Sequence, residues 1–258
     1  MKNTLINASL EAGKILKENF EGNFKISSKD VVSNLVTEID KKSEDKIIEI
    51  IKLSFPGHDI VSEEAGALYQ ESEYKWIIDP IDGTVNYAHS IPLTCVSIAL
   101  EKNSEIIMGV VFNPLSGEFF FSEKGKGSFL NDVKISVSKA DDLRKSLVVT
   151  GFPYDSSSFK PDPFIIFKKF LMLDVPIRRL GSAALDLCWT ACGRFEGFWE
   201  YNLNAWDVAA GYLILTEAGG KVTDFQGSKY SVYGKQILAT NGLIHDQMLE
   251  VISENNRE

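Results

Sequence analysis

The stretch that most constrains this chain is WIIDPIDGT, residues 76–84, where an apolar run meets two carboxylates, a proline and a glycine. Trp76, Ile77 and Ile78 read as a short buried strand, and Asp79 and Asp82 fall where that strand is expected to stop. Pro80 has no amide proton and pushes Asp79 towards extended backbone, so the chain itself limits where the Asp79 carboxylate can sit. Gly83 lets the backbone pass close to a ligand without a Cβ in the way. Two carboxylates three residues apart, with the Ile81 carbonyl between them, can turn hard oxygens towards one small volume, the donor type that Mg²⁺ prefers. If Gly83 and Thr84 open a helical turn, their amides face an anion beside such an ion. The plainer reading is that Asp79 and Asp82 only close a turn, a common use of Asp after a strand. Two other segments weigh against it. Ser62-Glu63-Glu64 follows a short apolar strand over 59–61, and Ala205-Trp206-Asp207 opens a long apolar helix. Acids at three element ends suggest a shared metal site more than solvated surface.

The Asp-Pro-Ile-Asp-Gly-Thr core, the upstream SEE at 62–64 and the downstream NAWDVAAGYLILTEAGG at 204–220 resemble, in order and spacing, the inositol monophosphatase family of Mg²⁺-dependent, lithium-sensitive sugar phosphatases. The resemblance covers nearly the whole chain and is to the bacterial type of inositol-1-monophosphatase. It implies a layered α-β-α-β-α sandwich with the metal site between two halves. It also implies that Glu63, Asp79 and the Ile81 carbonyl hold one Mg²⁺ and that Asp79, Asp82 and Asp207 hold a second. Two or three ions would bind in all, with Mn²⁺ able to substitute and Li⁺ inhibitory. Glu63 and Thr84 would orient the attacking water, with Asp79 completing the catalytic set and the Gly83 and Thr84 amides binding phosphate. VPIRRLGSAALDLC, residues 175–188, matches the family's stretch that meets the alcohol half of the substrate. The matching positions are Arg178, Gly181, Ser182 and Ala183, with Glu200 from WEYN, beside Asp82 and Asp207. Arg178 equally suits a surface or an interface, and Arg179 stands second to it. Trp189 and a shortened loop after Phe152 are expected to shape the pocket. A family loop whose Lys and Asp close over the metals maps onto Lys29 and Asp40, although a surface Lys and a helix-capping Asp need no such role.

The chemistry implied is Mg²⁺-dependent hydrolysis of a phosphate monoester, foremost myo-inositol 1-phosphate to inositol and phosphate, with no phosphorylated protein residue. Fructose-1,6-bisphosphate or a nucleotide phosphate are alternative substrates, and a regulatory contact with RNA or the transcription machinery is an alternative role. A haloacid-dehalogenase phosphatase also uses Asp-Gly-Thr, but its two Asp lie at i and i+2, whereas these lie at i and i+3 with Pro between. The formal charge of −9 argues against a general nucleic-acid or membrane-surface binder, which needs a basic face. No apolar run approaches the ~20 residues of a membrane span and the N-terminus lacks a signal-like apolar region, so a cytoplasmic protein without membrane contact is expected. Cys95, Cys188 and Cys192 make no disulfide framework, and His58, His89 and His245 show no zinc-binding spacing. A homodimer is expected from the resemblance.

Taken in order, residues 2–20 carry the apolar spacing of an amphipathic helix, and Thr37 to Asp40 resembles a capping box before a second helix containing Ile47 and Ile51. A strand over 59–61 and a polar loop over 66–74 lead to the central turn. Strands over 95–100, 106–113 and 118–122 form a meander. Asn131-Asp132 marks a turn, and the polar run 136–145 is the candidate boundary between an N-terminal half, residues 1–140, and a C-terminal half, residues 141–258. Beyond it, strands over 147–150, 175–179 and 197–201 alternate with helices near 163, over 182–192, over 205–218 and from about 245, and two further short strands precede the last helix. The fold class expected is mixed α/β, with an α+β first half and an α/β second half.

Overall fold

The computed structural model of this chain describes residues 1–22, 26–28, 35–153 and 162–253, with residues 26–28 and 35–36 described by backbone alone. Helix α1 (Lys2–Asn19) is followed by the paired strands β1 (Ile26–Ser28) and β2 (Leu35–Thr37) and by helix α2 (Glu38–Ser54). Strands β3 (Asp59–Ser62), β4 (Gly66–Leu68) and β5 (Tyr74–Asp82) lead to the short helix α3 (Thr84–Ala88). The meander then runs through β6 (Cys95–Lys102), β7 (Glu105–Asn113), β8 (Glu118–Glu123), β9 (Ser128–Leu130) and β10 (Val133–Lys134). These strands build an eight-stranded sheet ordered β10-β9-β8-β7-β6-β5-β3-β4, antiparallel throughout except where β3 runs parallel to β5. After the polar connection come β11 (Val148–Thr150), α4 (Pro163–Met172), β12 (Ile177–Arg178), α5 (Ala183–Ala191), β13 (Gly197–Tyr201), α6 (Ala205–Glu217), β14 (Lys221–Thr223), β15 (Gln236–Thr240) and α7 (His245–Ser253). The second sheet is ordered β12-β11-β13-β15-β14, with β11 parallel to β12 and β13, and β15 antiparallel to β13 and β14.

Side-chain alternation along the strands sets the layers, because successive residues of a strand face opposite sides of its sheet. Trp76 and Ile78 of β5, with Val96, Ile98 and Leu100 of β6, pack against Leu5, Ala8 and Ala12 of α1 and Ile39, Ile47 and Ile51 of α2. Ile77, Cys95 and Ala99 point the other way and meet α5 and α6. In the second sheet Phe198, Ile237 and Ala239 face the same pair of helices. Trp199, Tyr201 and Leu238 face α4 and α7 through Ile166, Phe170, Met248 and Ile252. Each sheet is therefore covered on both faces, and the stack reads α-β-α-β-α, the architecture expected. Helix α6 is buried on nearly every side because it lies between two sheets. Among the described residues, no helix is long and apolar enough to cross a membrane.

Two local expectations change, and a third is borne out with added detail. Strand β5 does not stop at Ile78. It pairs with β6 as far as Asp82, and three residues from Asp79 to Asp82 span only two from Ser97 to Cys95, so the strand is bulged where Pro80 cannot donate to a ladder. The stretch expected as a loop over 66–74 contains edge strand β4, paired antiparallel with β3. Asn131 and Asp132 close a hairpin, β9–β10, with φ of 48° and 65°, the left-handed pair that a tight hairpin turn requires and that Asn and Asp tolerate.

Helices α5 and α6 approach closely because Gly211 has no side chain. A Cβ there would lie 2.7 Å from the Leu187 Cβ, an atom fixed to its own helix backbone. Gly211→Ala gains up to about 1 kcal/mol of helix propensity and loses about 1–3 kcal/mol to overpacking. The steric loss should win, giving a lower urea midpoint at unchanged slope in equilibrium unfolding.

Candidate active site

The bulge at the end of β5 places its carboxylates inside the molecule. Asp79 is 2% exposed and Asp82 8%. The Asp79 Oδ1 accepts the Ile81 amide at 3.0 Å, which fixes one oxygen by a bond to its own turn. Asp82 is held from the other half of the chain. Its Oδ2 accepts the Ser182 hydroxyl at 2.6 Å and the Ala184 amide at 2.8 Å, both at the start of α5. Thr94 secures the Asp82 carbonyl at 2.8 Å. Gly83 has a φ of 88°, and a Cβ there would meet the Leu93 carbonyl at 2.8 Å and the Gly181 carbonyl at 3.2 Å. Only glycine lets these segments close together at this point. Asn86 reinforces the closure by donating to the Leu93 and Leu180 carbonyls at 2.8 and 2.7 Å.

Three further acids approach. Glu63 follows β3, its amide bonded to the Ile78 carbonyl at 3.2 Å. Asp207 sits in the first turn of α6, where its Oδ2 accepts the Asn204 amide at 2.6 Å. Asp40 sits in the first turn of α2 and completes the expected capping box, its Oδ2 accepting the Thr37 amide at 2.8 Å. Its other oxygen accepts the Thr84 hydroxyl at 3.1 Å, and that hydroxyl also lies 2.9 Å from the Ile81 carbonyl. A capping role and a place in the site thus coexist in Asp40. Lys29 lies outside the described residues.

Burial, then the charges of Glu63, Asp82, Asp207 and Asp40, push the Asp79 carboxyl well above its ordinary range. Asp207 is raised by burial, only partly offset by the Asn204 amide, and further by Asp82 and Glu63. Asp82 is raised to about 6, chiefly by burial and against the opposing bonds from Ser182 and Ala184. Asp40 is also raised to about 6 by burial, against the bonds from Thr37 and Thr84. Among the described residues, the principal charges acting on Asp79 are all carboxylates. Among the described residues no three His, Cys, Asp or Glu side chains converge into a ready-made cage. The charges of Glu63, Asp82, Asp207 and Asp40 nevertheless all bear on Asp79. A carboxylate so buried and so surrounded needs either a proton or a cation. An all-oxygen set of Asp, Glu and a backbone carbonyl fits a hard divalent cation such as Mg²⁺.

The segment matched to the alcohol half lies beside this cluster. Ser182 caps α5, and its hydroxyl is committed to Asp82. Gly181 has a φ of 84° and is exposed, while Ala183 is buried. Glu200 is buried against Gly151, where any Cβ would overlap its carboxylate. Burial, followed by the charges of Asp207 and Asp82, raises it to about 8, and Arg179 opposes the rise. Arg178 is exposed and donates to the Ile177 carbonyl at 3.0 Å. Arg179, the residue ranked second, lies over the Phe152 ring and is the one whose charge reaches Glu200.

Sequence reasoning passed over Ser43 and Glu44 on α2, Asn86 on α3, and Asp186. Asp186 is 1% exposed, and its Oδ1 finds no hydrogen-bond partner among the described residues. A charged residue inside the apolar run AALDLC was the available signal. The cysteines are reduced, and Cys95 and Cys188 are buried, as expected. His58 stacks between Phe55 and Tyr74, and His245 bonds Thr223 and Thr240, so both serve packing.

A model of the inositol monophosphatase family matches residues 1–257. Inositol-1-monophosphatase of Synechocystis sp. is 43% identical over 229 residues, covering 88% of this chain and 80% of the relative. Nus factor SuhB of Pasteurella multocida is 38% identical over 249 residues, covering 95% of this chain and 93% of the relative. The solved structure of inositol monophosphatase from Anabaena (Nostoc) sp. is 40% identical with a TM-score of 0.88, covering 98% of this chain and 95% of that one.

The pH dependence of stability follows from these raised carboxyls. Folded values above the unfolded ones mean that the folded state binds more protons, so their contribution is fully present below the unfolded value near 4 and is lost as pH rises through the folded values. Asp40 and Asp82 place part of the loss near 6, Glu200 extends it to about 8, and Asp79 and Asp207, raised well above the ordinary range, add to it. Protein stripped of divalent cations should melt roughly 5 °C or more lower at pH ~8 than at pH ~5. Melting curves that are flat across that interval would show that the acids are neutralised some other way.

Proposed function

The chain belongs to the inositol monophosphatase family, and from that premise we propose that it hydrolyses a phosphate monoester with Mg²⁺, preferring myo-inositol 1-phosphate, by direct attack of water and without a phosphorylated protein residue. The observation that carries the reading is the set of four acids around the buried Asp79, brought together from the turn after β3 and from β5, α2 and α6. Glu63, Asp79 and the Ile81 carbonyl would hold one cation, and Asp79, Asp82 and Asp207 another. When bound, such ions acidify water and neutralise charge on phosphoryl and leaving oxygens. Mn²⁺ would substitute, and Li⁺ would inhibit.

The protein's own groups supply the rest. Thr84 directs its single proton to Asp40 or to the Ile81 carbonyl, which leaves its lone pairs to accept from the attacking water. Asp40, raised to about 6, stands behind Thr84 as the place where a relayed proton can rest. Glu63 orients the same water from the opposite segment. The amides of Gly83 and Thr84 at the start of α3 bind the phosphate. Ser182, by bonding Asp82, holds that carboxylate in one orientation. Gly181, Ala183 and Glu200, with Arg178 or Arg179, would meet the polyol. Division into halves at about residue 140 puts this site on a seam, with most acids in the first half and Asp207 in the second. Cytoplasmic location and a homodimer complete the reading.

Relatives named Nus factor SuhB favour a second role, contact with RNA or the transcription machinery, although a charge of −9 does not itself favour nucleic acid. Fructose-1,6-bisphosphate and nucleotide phosphates remain rival substrates within the enzyme reading. A panel of these phosphates, compared by kcat/KM with Mg²⁺ and after chelation, tests the proposal. Inositol 1-phosphate should lead and chelation should abolish turnover. Activity that survives chelation overturns the metal reading.

Two substitutions test residue roles. Thr84→Ala keeps the amide and loses the hydroxyl, so kcat should fall roughly 10²-fold or more with KM little changed. Asp207→Asn can still accept the Asn204 amide while removing one repelling charge. Its cation-free melting temperature should equal or exceed wild type, while the Mg²⁺-dependent rise shrinks and turnover collapses. A wild-type Mg²⁺ response in Asp207→Asn would remove Asp207 from the site.

A further inference from the structure

Helix α2 buries an apolar face through Ile39, Ile47 and Ile51, yet Asp40, Ser43 and Glu44 on the same side are also buried, at 0, 0 and 4% exposure. Positions i, i+3 and i+4 share one helix face, so these three form a polar stripe where the helix should be apolar. Each member reaches a different segment of the site. Asp40 takes the Thr84 hydroxyl, Ser43 donates to the Pro80 carbonyl at 3.0 Å, and Glu44 takes the turn after β3. The Glu44 contact is the most elaborate. Its Oε1 accepts the Ser62 hydroxyl and the amides of Glu64 and Ala65, both at 3.0 Å, so three donors from the residues flanking Glu63 converge on one oxygen.

A polar side chain buried on an otherwise apolar helix face is costly unless hydrogen-bonded, and Glu44 meets that need with three donors. The 62–65 turn also closes the β3–β4 hairpin, in which Ser62 pairs with Gly66. The Glu63 amide bonds the Ile78 carbonyl, and Ser62 ends its pairing with β5 opposite Ile78. The turn's remaining amides are bound by Glu44. Pro80, held by Ser43, lies within the bulge that presents Asp79 and Asp82. One rigid helix face therefore sets the relative position of the two acid-bearing turns and of Thr84.

We propose that Glu44 is a positioning residue: by gathering the Ser62, Glu64 and Ala65 donors it fixes the direction of Glu63 towards Asp79, and α2 acts as the splint that keeps the acids in register before a cation binds. The proposal rests on the reading of Glu63 as a cation ligand. Residues that hydrogen-bond a ligand directly typically change metal affinity or activity by 10–100-fold when lost, and Glu44, which holds the ligand's chain neighbours, should fall at the low end of that range.

The test uses the full chain as wild type, Glu44→Gln and Glu44→Leu, with Mg²⁺ alone titrated against melting temperature, and kcat and KM for inositol 1-phosphate beside it. Glu44→Leu removes every acceptor, so its Mg²⁺ midpoint should rise about 10-fold and kcat should fall at least as much, with KM within about threefold. Glu44→Gln keeps an acceptor oxygen and should restore most of both. Should Glu44→Leu fail to fold, Ser62→Ala, which removes one of the three donors, should raise the midpoint about two- to threefold. A folded Glu44→Leu with the wild-type midpoint and kcat overturns the proposal, as does Ser62→Ala with an unshifted midpoint. So does a variant that melts lower without Mg²⁺ but keeps the wild-type midpoint, since that marks a role in stability alone. A wild type with no Mg²⁺ response overturns the metal reading and the Glu44 proposal together, whereas a responding wild type beside an equally responding Glu44→Leu overturns the second only.

Discussion

Mutual repulsion among buried carboxylates is the constraint on which this structure turns. Asp79 lies inside a sheet, at the end of a strand that packs apolar residues on both faces, and the charges of Glu63, Asp82, Asp207 and Asp40 all bear on it. A chain left to minimise its own energy would keep such groups in water, because a buried ionised carboxylate without compensation is among the most unfavourable arrangements a core can contain. Their collection therefore requires strong scaffolding from the rest of the fold. Two sheets, each sealed by helices, provide it, with α5 and α6 clamped between them by Gly109 against Ala210 and Gly211 against Leu187.

The scaffolding works through hydrogen bonds that span long stretches of chain. Asp82 is gripped by Ser182 and Ala184, and Thr84 by Asp40, while the Glu63 turn is held by Glu44. Each of these bonds satisfies one lone pair of an acid or orients a neighbouring group, and none supplies a positive charge. The site is thus ordered geometrically while its electrostatic demand stays open. This division of labour suits the cation and phosphate binding proposed above, since a preorganised set of groups binds charge without first having to rearrange.

Much of the scaffold was legible in the chain because it depends on local chemistry. The capping box at Thr37 and Asp40 follows from residue types three apart, and it forms as expected. The meander follows from alternating apolar residues, and the α6 stop follows from Gly219-Gly220. The hairpin strands around Asn131 escaped notice because they are two and three residues long, too short for any period to show. The extension of β5 to Asp82 escaped notice for a different reason. Proline and two acids argue against a strand locally, and only pairing with β6 through a bulge overrides them.

What the sequence by itself determined is the inventory and its order: the acids at element ends, the glycine that admits a close approach, and the strand–helix alternation that favours an α/β second half. What only the tertiary structure decided is which side chain answers which. Asp40 and Thr84 are 44 residues apart, and Ser182 and Asp82 are 100 apart, so no local pattern links them. The same holds for Arg179, rather than Arg178, acting on Glu200, and for the polar stripe of α2, whose buried face reads in sequence as charge on an amphipathic helix. The physical reason is that period and propensity act over a few residues, whereas the partner of a buried polar group is chosen by how whole layers pack, and that choice is made only when the two sheets close over α5 and α6.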